Sequence, residues 1–436
     1  MTPSARLETT IAALAEIDAK SAPADSVLSA FFRARRYVGS KDRAAIAGNV
    51  YRILRSEARL TWWLENTGLE NDARALALAD QLLNERLPLA QLHNLCDGSQ
   101  YAPAEISAEE HAALKQMNEQ PLEPAEMPEL VALECPEDVA PVLRDIYGER
   151  FAEVLRALQQ PAPMDVRVNT LRADAAKLLP ELKAAGMEAA PGIYLPYTLR
   201  IHGRPNLNAH PAFSTGLVEV QDEGSQLLAA LVDAQPGMRV FDFCAGAGGK
   251  TLALAATMQG KGRIVATDVS DRRLQRAKLR LRRADVQTVE LHTLENENDP
   301  WLKRHKDGFD RVLVDAPCTG TGTWRRNPET RWRSGGIGLD ELLPLQKSIL
   351  AAAARLVKPG GRLIYATCSL LPAENERQVE DFLAGNDVFS VVPVADIWAD
   401  VVPGKACPVS GSYLRLDPAQ HGTDGFFAAV LMRKQD

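Results

Sequence analysis

The stretch "FDFCAGAGGKTLALA", Phe241 to Ala255, decides the fold. Its "GGKT" invites comparison with a phosphate-binding loop of the form G-x-x-x-x-G-K-[ST]. That pattern would place its first glycine five residues before Gly249, where this chain has Cys244. The nucleoside-triphosphate reading therefore loses its turn residue. What remains is an apolar run, Val240 to Phe243, that carries Asp242 and opens into small residues with three glycines before an apolar helical pattern. A strand, a tight turn and a helix N-terminus in succession suit any ligand that needs a close backbone approach.

Outward from this stretch the pattern after Pro211 alternates between strand and helix. Candidate strands are Arg239 to Cys244, Arg263 to Asp268, Thr288 to Thr293, Asp310 to Asp315, Arg362 to Thr367, Phe389 to Val394 and Phe426 to Met432. Such alternation predicts an α/β domain with a mainly parallel sheet covered on both faces. Upstream, Ala5 to about Leu92 repeats its apolar residues at helical spacing and predicts a small helical bundle. The Pro- and Glu-rich stretch "EQPLEPAEMPELVALECPEDV" predicts a linker with little core of its own. Between about Pro141 and His210, "MDVRVNTL", a helix and "IYLPYTLRI" predict a small α+β module.

The chain has 436 residues, enough for two or three domains, and it lacks a long uninterrupted apolar run. Its N-terminal pattern, interrupted by Arg6, Glu8 and Glu16, reads as an amphipathic helix rather than a signal peptide, so a cytoplasmic location is expected. Cys96, Cys135, Cys244, Cys318, Cys368 and Cys407 contain no C-x-x-C pair, which argues against a disulfide framework and a zinc site. The net charge of −7 is unevenly spread. Ten acidic residues and one lysine between Glu105 and Asp138 contribute −9, leaving −7 + 9 = +2 for the rest. Within that remainder Phe31 to Leu60 and "DRRLQRAKLRLRRADV" (Asp271 to Val286) are strongly basic, so the total does not exclude a nucleic-acid partner. The competing reading for each basic run is a solvated helix face.

In a parallel sheet ligands bind beyond the carboxyl ends of the strands. Asp268 ends the second strand about twenty residues past the glycines, a spacing that suits the two ribose hydroxyls of a nucleoside and that nicotinamide-cofactor sites share. The fourth strand runs into "VLVDAPCTGTGTWRRNPETRWR" and the fifth into "LIYATCSLLPAENE". If these strands are neighbours, roughly 5 Å apart, Cys318 and Cys368 converge on one cleft beside Asp315. Either cysteine alone would read as a small buried filler. Together with a carboxyl group they suit attack on an electron-poor pyrimidine. Cytosine C5 is too weak a nucleophile to take a methyl group until a thiolate adds to C6, and a carboxyl group at N3 stabilises the enamine that forms. The methyl donor for such chemistry would be S-adenosylmethionine, which needs an adenosine pocket and a close-packed glycine turn but no pyrophosphate cradle.

"DFCAGAGGKT", "ATD", "DAPCTGTG" with "RRNPETRW", and "YATCSLLPAENE" together resemble the bacterial RNA cytosine-C5 methyltransferase family, in particular the Sun/Fmu type that modifies small-subunit ribosomal RNA. "VQDEGSQL" and "GTDGFFAAVLMR" extend the likeness over the last half of the chain. "ARLETTIAALAEI" and "KDRAAIAGNVYRILR" are similar to the NusB-type helical RNA-binding domain, and "MDVRVNTL" to the family's small RNA-contacting module. The resemblance implies a Rossmann-like class I methyltransferase sheet over 211–436. A NusB-like domain (1–120), an acidic Pro-rich linker (121–140) and an α+β RNA-contacting module (141–210) would precede it. It implies Cys368 as nucleophile, Cys318 in product release, and Asp315 at the cytosine and near the cofactor. Cys244, Ala245, Gly246, Ala247, Gly248, Gly249, Lys250 and Asp268 would hold S-adenosylmethionine. Arg325, Arg326 and Arg331, beside Trp324 and Trp332, would grip RNA. No metal, no membrane and a monomeric state are expected. Two departures are visible: Ala247 stands where the family commonly has proline, and "VELHTLENEND" lacks the aspartate relatives carry near the adenine, with Glu295 the nearest substitute. The rival expectations are the same chemistry on tRNA, or a non-catalytic RNA-binding or ribosome assembly factor.

Overall fold

The computed structural model describes residues 1–20, 22–203, 207, 210–332 and 338–435. The chain forms two compact units. One comprises Met1–Pro161 and a segment that begins at Trp324; the other comprises Ala162–Thr323 and the C-terminal stretch.

The first unit is helical, with principal helices Pro3–Asp18, Ala24–Ala34, Ser40–Arg55, Glu57–Thr67, Ala73–Leu83, Leu89–Leu95 and Ala108–Met117. Ala73–Leu83 shows why: Asp72 caps it through the Ala75 N–H, and Ala75, Leu78, Ala79, Leu82 and Leu83 bury one face. Those faces meet Leu14, Phe31, Ile46, Leu60 and Leu114 in a single core. The acidic stretch differs from the linker expected of it. Met127, Leu133 and Cys135 are buried, and the buried Glu134 carboxylate accepts from the Ala58 N–H at 3.0 Å, the Arg59 N–H at 3.1 Å and Arg59 Nε at 2.9 Å. Glu134 thereby satisfies N–H groups that the first turn of Glu57–Thr67 leaves without helical partners. Helices Ala140–Tyr147 and Phe151–Gln159, which precede β1 of the α+β module in the chain, fall within Met1–Pro161.

The second unit holds two sheets. β1 (Met164–Val168), β2 (Ala189–Pro191), β3 (Thr198–Ile201) and β4 (Val218–Val220) form an antiparallel sheet of order β2-β3-β1-β4. Helix Ala175–Ala184 packs Leu178 and Leu182 among Val166, Val168 and Leu199 of this sheet.

The larger sheet comprises β5 (Arg239–Asp242), β6 (Arg263–Asp268), β7 (Val289–Thr293), β8 (Phe309–Asp315), β9 (Val357–Thr367), β10 (Phe389–Val392), β11 (Leu414–Leu416) and β12 (Phe426–Arg433). Its order is β10-β12-β9-β8-β5-β6-β7, with β11 beside β12. Strands β5 to β9 are mutually parallel; β12 runs antiparallel to β9 and β10 to β12. Both faces of the central strands are covered, so their interiors are apolar, whereas β7 (Val289–Thr293) at the edge is only half-buried. Val240, Ile264, Leu313 and Ile364 face one core, and Phe241, Val265, Val312 and Leu363 the other. Each of the seven expected strands forms, and the sheet is the Rossmann-like class I methyltransferase sheet that the resemblance implies. Its order reverses at β5, which opens a crevice beyond the carboxyl ends of β5 and β8.

Candidate active site at the carboxyl ends of the sheet

β5 stops at Asp242 because the chain turns sharply there. The Ala245 N–H donates to the Thr267 carbonyl at 2.8 Å, and the Gly246 N–H to Asp268 Oδ2 at 2.9 Å. Gly246 and Gly248 have φ of 56° and 79°, and a Cβ on Gly248 would lie 2.9 Å from the Ala277 Cβ. Gly248 is thus glycine for both its left-handed backbone and the close approach of helix Asp271–Arg283. Ala247 presents its carbonyl to Arg280 Nη1 at 2.8 Å, and Arg280 is itself paired with Glu219 of β4 at 3.0 Å. Asp268 Oδ1 accepts from the Ser270 N–H at 2.8 Å, so the carboxylate ties the glycine turn to the end of β6.

Asp242 is fully buried, with one oxygen accepting from Thr251 Oγ1 at 2.7 Å and Oδ1 without a partner among the described residues. Burial raises its pKa to about 7, against the opposing pull of the Thr251 hydrogen bond. Burial also pushes the Cys244 thiol well above its ordinary value, aided by Asp315 and Asp268. Burial thus disfavours the charged form of both groups at this end of β5.

Lys250, in helix Gly249–Thr257, places Nζ 2.7 Å from Asp315 Oδ2 at the end of β8. Burial pulls the ammonium's pKa down, but the Asp315 carboxylate more than offsets it, and the net shift is upward. Cys368 lies within the electrostatic reach of the same ammonium. β8 and β9 are neighbours, so the loops that follow them meet, with Cys318 Sγ and Cys368 Sγ 3.4 Å apart. The hydrogen-bond contact with Cys368, then burial, raise the pKa of Cys318 and hold it as the neutral thiol. The site therefore joins a cysteine pair, a carboxyl group and a cation beside a glycine turn.

Glu295, by contrast, is exposed, and its N–H is taken up by Asp299 Oδ2 at 2.9 Å. The arginines expected at RNA call for a correction. Arg325 and Arg331 are buried in the helical unit, where Arg331 Nη2 donates to the Leu158 carbonyl at 2.8 Å and its guanidinium lies 5.2 Å from the Trp324 ring. Burial lowers the Arg331 pKa to about 10. Side chains enclosed by protein cannot hold a phosphate, and of the three only Arg326 is half-buried.

Sequence reasoning missed Arg280 and Glu374. Glu374 accepts from Thr319, the residue after Cys318, at 2.9 Å. The signals were present: a cation on the helix that faces the glycine turn, and an acid a few residues past the second cysteine.

The turn fits S-adenosylmethionine on its own geometry. Gly248 leaves no room for a side chain, the Asp268 carboxylate borders the turn, and the Ala245, Gly246 and Gly248 N–H groups are taken up by the Thr267 carbonyl, Asp268 Oδ2 and the Ala245 carbonyl rather than left to cradle phosphates. Among the described residues no group of three or more His, Cys, Asp or Glu could hold a metal ion, and no helix is long and apolar enough to cross a membrane.

The family model "16S rRNA methyltransferase RsmB/F" matches residues 229–432, and the "RsmF/B-like, ferredoxin-like domain" matches 136–208. The probable ribosomal RNA small subunit methyltransferase B of Synechocystis sp. is 34% identical over 303 residues, 68% of this chain and 66% of that relative, so the likeness spans just under two thirds of the relative's length. The ribosomal RNA small subunit methyltransferase B of Citrobacter koseri is 30% identical over 411 residues, 91% of this chain and 92% of the relative. Among solved structures, the crystal structure of PH0851 matches with a TM-score of 0.78 at 28% identity, covering 99% of each chain. With the site standing at the switch point of a class I sheet and a relative matched over nearly its whole length, the chain belongs to the RsmB/F family of 16S rRNA methyltransferases.

Proposed function

We propose that the protein methylates C5 of a cytidine in 16S rRNA through a covalent adduct between Cys368 and C6 of the base. The observation that carries this is the 3.4 Å approach of Cys318 and Cys368 beside the Lys250–Asp315 pair. S-adenosylmethionine, when bound by residues Cys244 to Lys250 with Asp268 and Asp315, supplies an electrophilic methyl group. Cys368 as thiolate adds to C6, and the electron pair moves toward N3. Asp315 faces the N3 edge, and the protonated Lys250 beside it supplies the positive charge that stabilises the ring as it becomes electron-rich. C5 would then be nucleophilic toward that methyl group, whose S–CH3 bond would break with its electron pair left on the sulfur. Release then requires that the C5 proton depart to solvent, the C5=C6 bond re-form and the C6–S bond break. Cys318, held as a thiol, donates its S–H to the departing Cys368 thiolate.

RNA would approach over the basic helix Asp271–Arg283, whose Arg272, Arg276, Lys278 and Arg282 are exposed, with Arg326 as a further contact. The NusB-like helical domain would add sequence-independent affinity through exposed Arg33, Arg36 and Lys41. Two variants test the cysteine roles. Cys368→Ala should lose methyl transfer and adduct together. Cys318→Ala should accumulate a protein–RNA adduct that survives a denaturing gel. Methyl transfer retained in Cys368→Ala would reject the nucleophile.

A further inference from the structure

Glu374 has no place in the chemistry above, yet it is one of the most completely enclosed charged residues in the second unit. It ends the short turn Pro372–Glu374 that follows Cys368. Its Oε1 accepts from the Thr319 N–H at 2.9 Å and from Gln346 Nε2 at 3.0 Å; its Oε2 accepts from Thr319 Oγ1 at 2.5 Å. Its own carbonyl accepts from the Tyr365 hydroxyl at 2.7 Å, and Tyr365 stands in β9 shortly before Cys368.

The Thr319 N–H and Gln346 Nε2 are donors only, and both fall on Oε1, while the Thr319 hydroxyl meets Oε2. A carboxylate accepts from all three, whereas an amide of the same shape would set its N–H₂ where Oε2 stands and reverse the bond to the Thr319 hydroxyl. The price of burying a charge is offset only where such bonds are made, so the residue type reflects this set of partners. Those partners are not spread at random. Thr319 directly follows Cys318, and Asn375, the residue after Glu374, accepts from Thr367 Oγ1 and donates to the Ser369 carbonyl at 2.9 Å, so that it brackets Cys368. Glu374 and Asn375 together grip the residue after one cysteine and the residues on both sides of the other.

We propose that Glu374 is a positioning residue that holds the Cys318 loop against Cys368, and that it governs breakdown of the adduct rather than its formation. The proposal rests on the cysteine roles given above. Nucleophilic addition needs Cys368 and the base alone, and Cys368 keeps anchors besides Glu374: Asn375 holds Thr367 and Ser369, and the Cys368 carbonyl accepts from the Gly322 N–H at 2.9 Å. Release needs the second thiol within reach of the departing sulfur, and that separation depends on the loop Glu374 holds.

The test measures single-turnover adduct formation, multiple turnover and S-adenosylmethionine affinity in Glu374→Gln, Thr319→Val and Cys318→Ala of the full chain. In Glu374→Gln, adduct formation should stay within about threefold of the parent and cofactor affinity should be unchanged. Turnover should fall about tenfold or more, and adduct should build up on a denaturing gel. Thr319→Val, which removes the hydroxyl half of the grip and the 3.3 Å contact of that hydroxyl with Ser369, should shift the same way by a smaller factor; should Glu374→Gln not fold, that variant alone decides. A merely structural role would lower formation and turnover together without adduct, and either that pattern or parent-like turnover overturns the proposal. Cys318→Ala separates the two levels. If it traps adduct while the Glu374 and Thr319 variants do not, only the positioning role fails; if it traps none, the release role of Cys318 fails and the proposal with it.

Discussion

At the scale of single residues, two features of the glycine turn make sharp predictions. Gly248→Ala introduces a Cβ 2.9 Å from Ala277 at a φ of 79°, and should cost about 1–3 kcal/mol of stability, read as a lower denaturant midpoint, and weaken S-adenosylmethionine binding. An unchanged midpoint would mean that the turn has room the geometry denies. Asp242, whose burial raises its pKa to about 7, binds its proton more tightly folded than unfolded. Its contribution is therefore fully present below the unfolded carboxyl value of about 4 and is lost as the pH rises to about 7. Asp242→Asn, which cannot ionise, should lose less melting temperature than the parent between pH 5 and pH 8; parallel losses would contradict the assignment. The cysteines, Asp315 and the glycines were legible because short motifs carry them. Glu374 was not, because its partner Thr319 lies 55 residues away, and a hydrogen bond of that span leaves no periodic trace. Arg331 misled for a related reason: an arginine beside tryptophans looks alike whether it faces RNA or a protein core.

At the scale of elements, the alternation of strands and helices exposed the larger sheet almost to its ends. β5 closed earlier than expected, at Asp242, where the turn takes over. The strands that escaped notice, β2, β4 and β11, are three residues long, too short for an alternation to register. Equally invisible was the tie between the two sheets of the second unit. Arg280 of helix Asp271–Arg283 bonds both Glu219 of the small sheet and the Ala247 carbonyl of the glycine turn. The Arg280 hydrogen bond to the Ala247 carbonyl holds this turn from outside. Arg280→Ala should therefore weaken S-adenosylmethionine binding about tenfold, measured by calorimetry, whereas Arg276→Ala on the same helix, exposed, should leave it nearly unchanged. Equal effects would show that helix charge, rather than the bond to Ala247, sets cofactor affinity.

At the scale of the whole molecule, charge and chain path decide the expectations. The acidic stretch from Glu105 to Asp138 hides a slightly basic remainder, so RNA affinity should fall steeply with salt despite the net charge of −7. The segment that starts at Trp324 leaves the second unit and buries Trp324 and Pro328 in the helical one, a path no local pattern foretells. A chain beginning at residue 162 lacks that core, and amide hydrogen exchange over 324–332 should be fast in it and slow in the full chain; slow exchange in both would place the segment's support elsewhere. The central claim is methyl transfer to a cytosine of the small subunit through Cys368. The direct measurement is transfer from radiolabelled S-adenosylmethionine to separated, unmethylated small-subunit rRNA, large-subunit rRNA and tRNA, followed by bisulfite sequencing of the labelled fraction. Label is expected at one small-subunit cytosine and absent with Cys368→Ala; label confined to tRNA, or label that persists in that variant, would contradict transfer to 16S rRNA through Cys368.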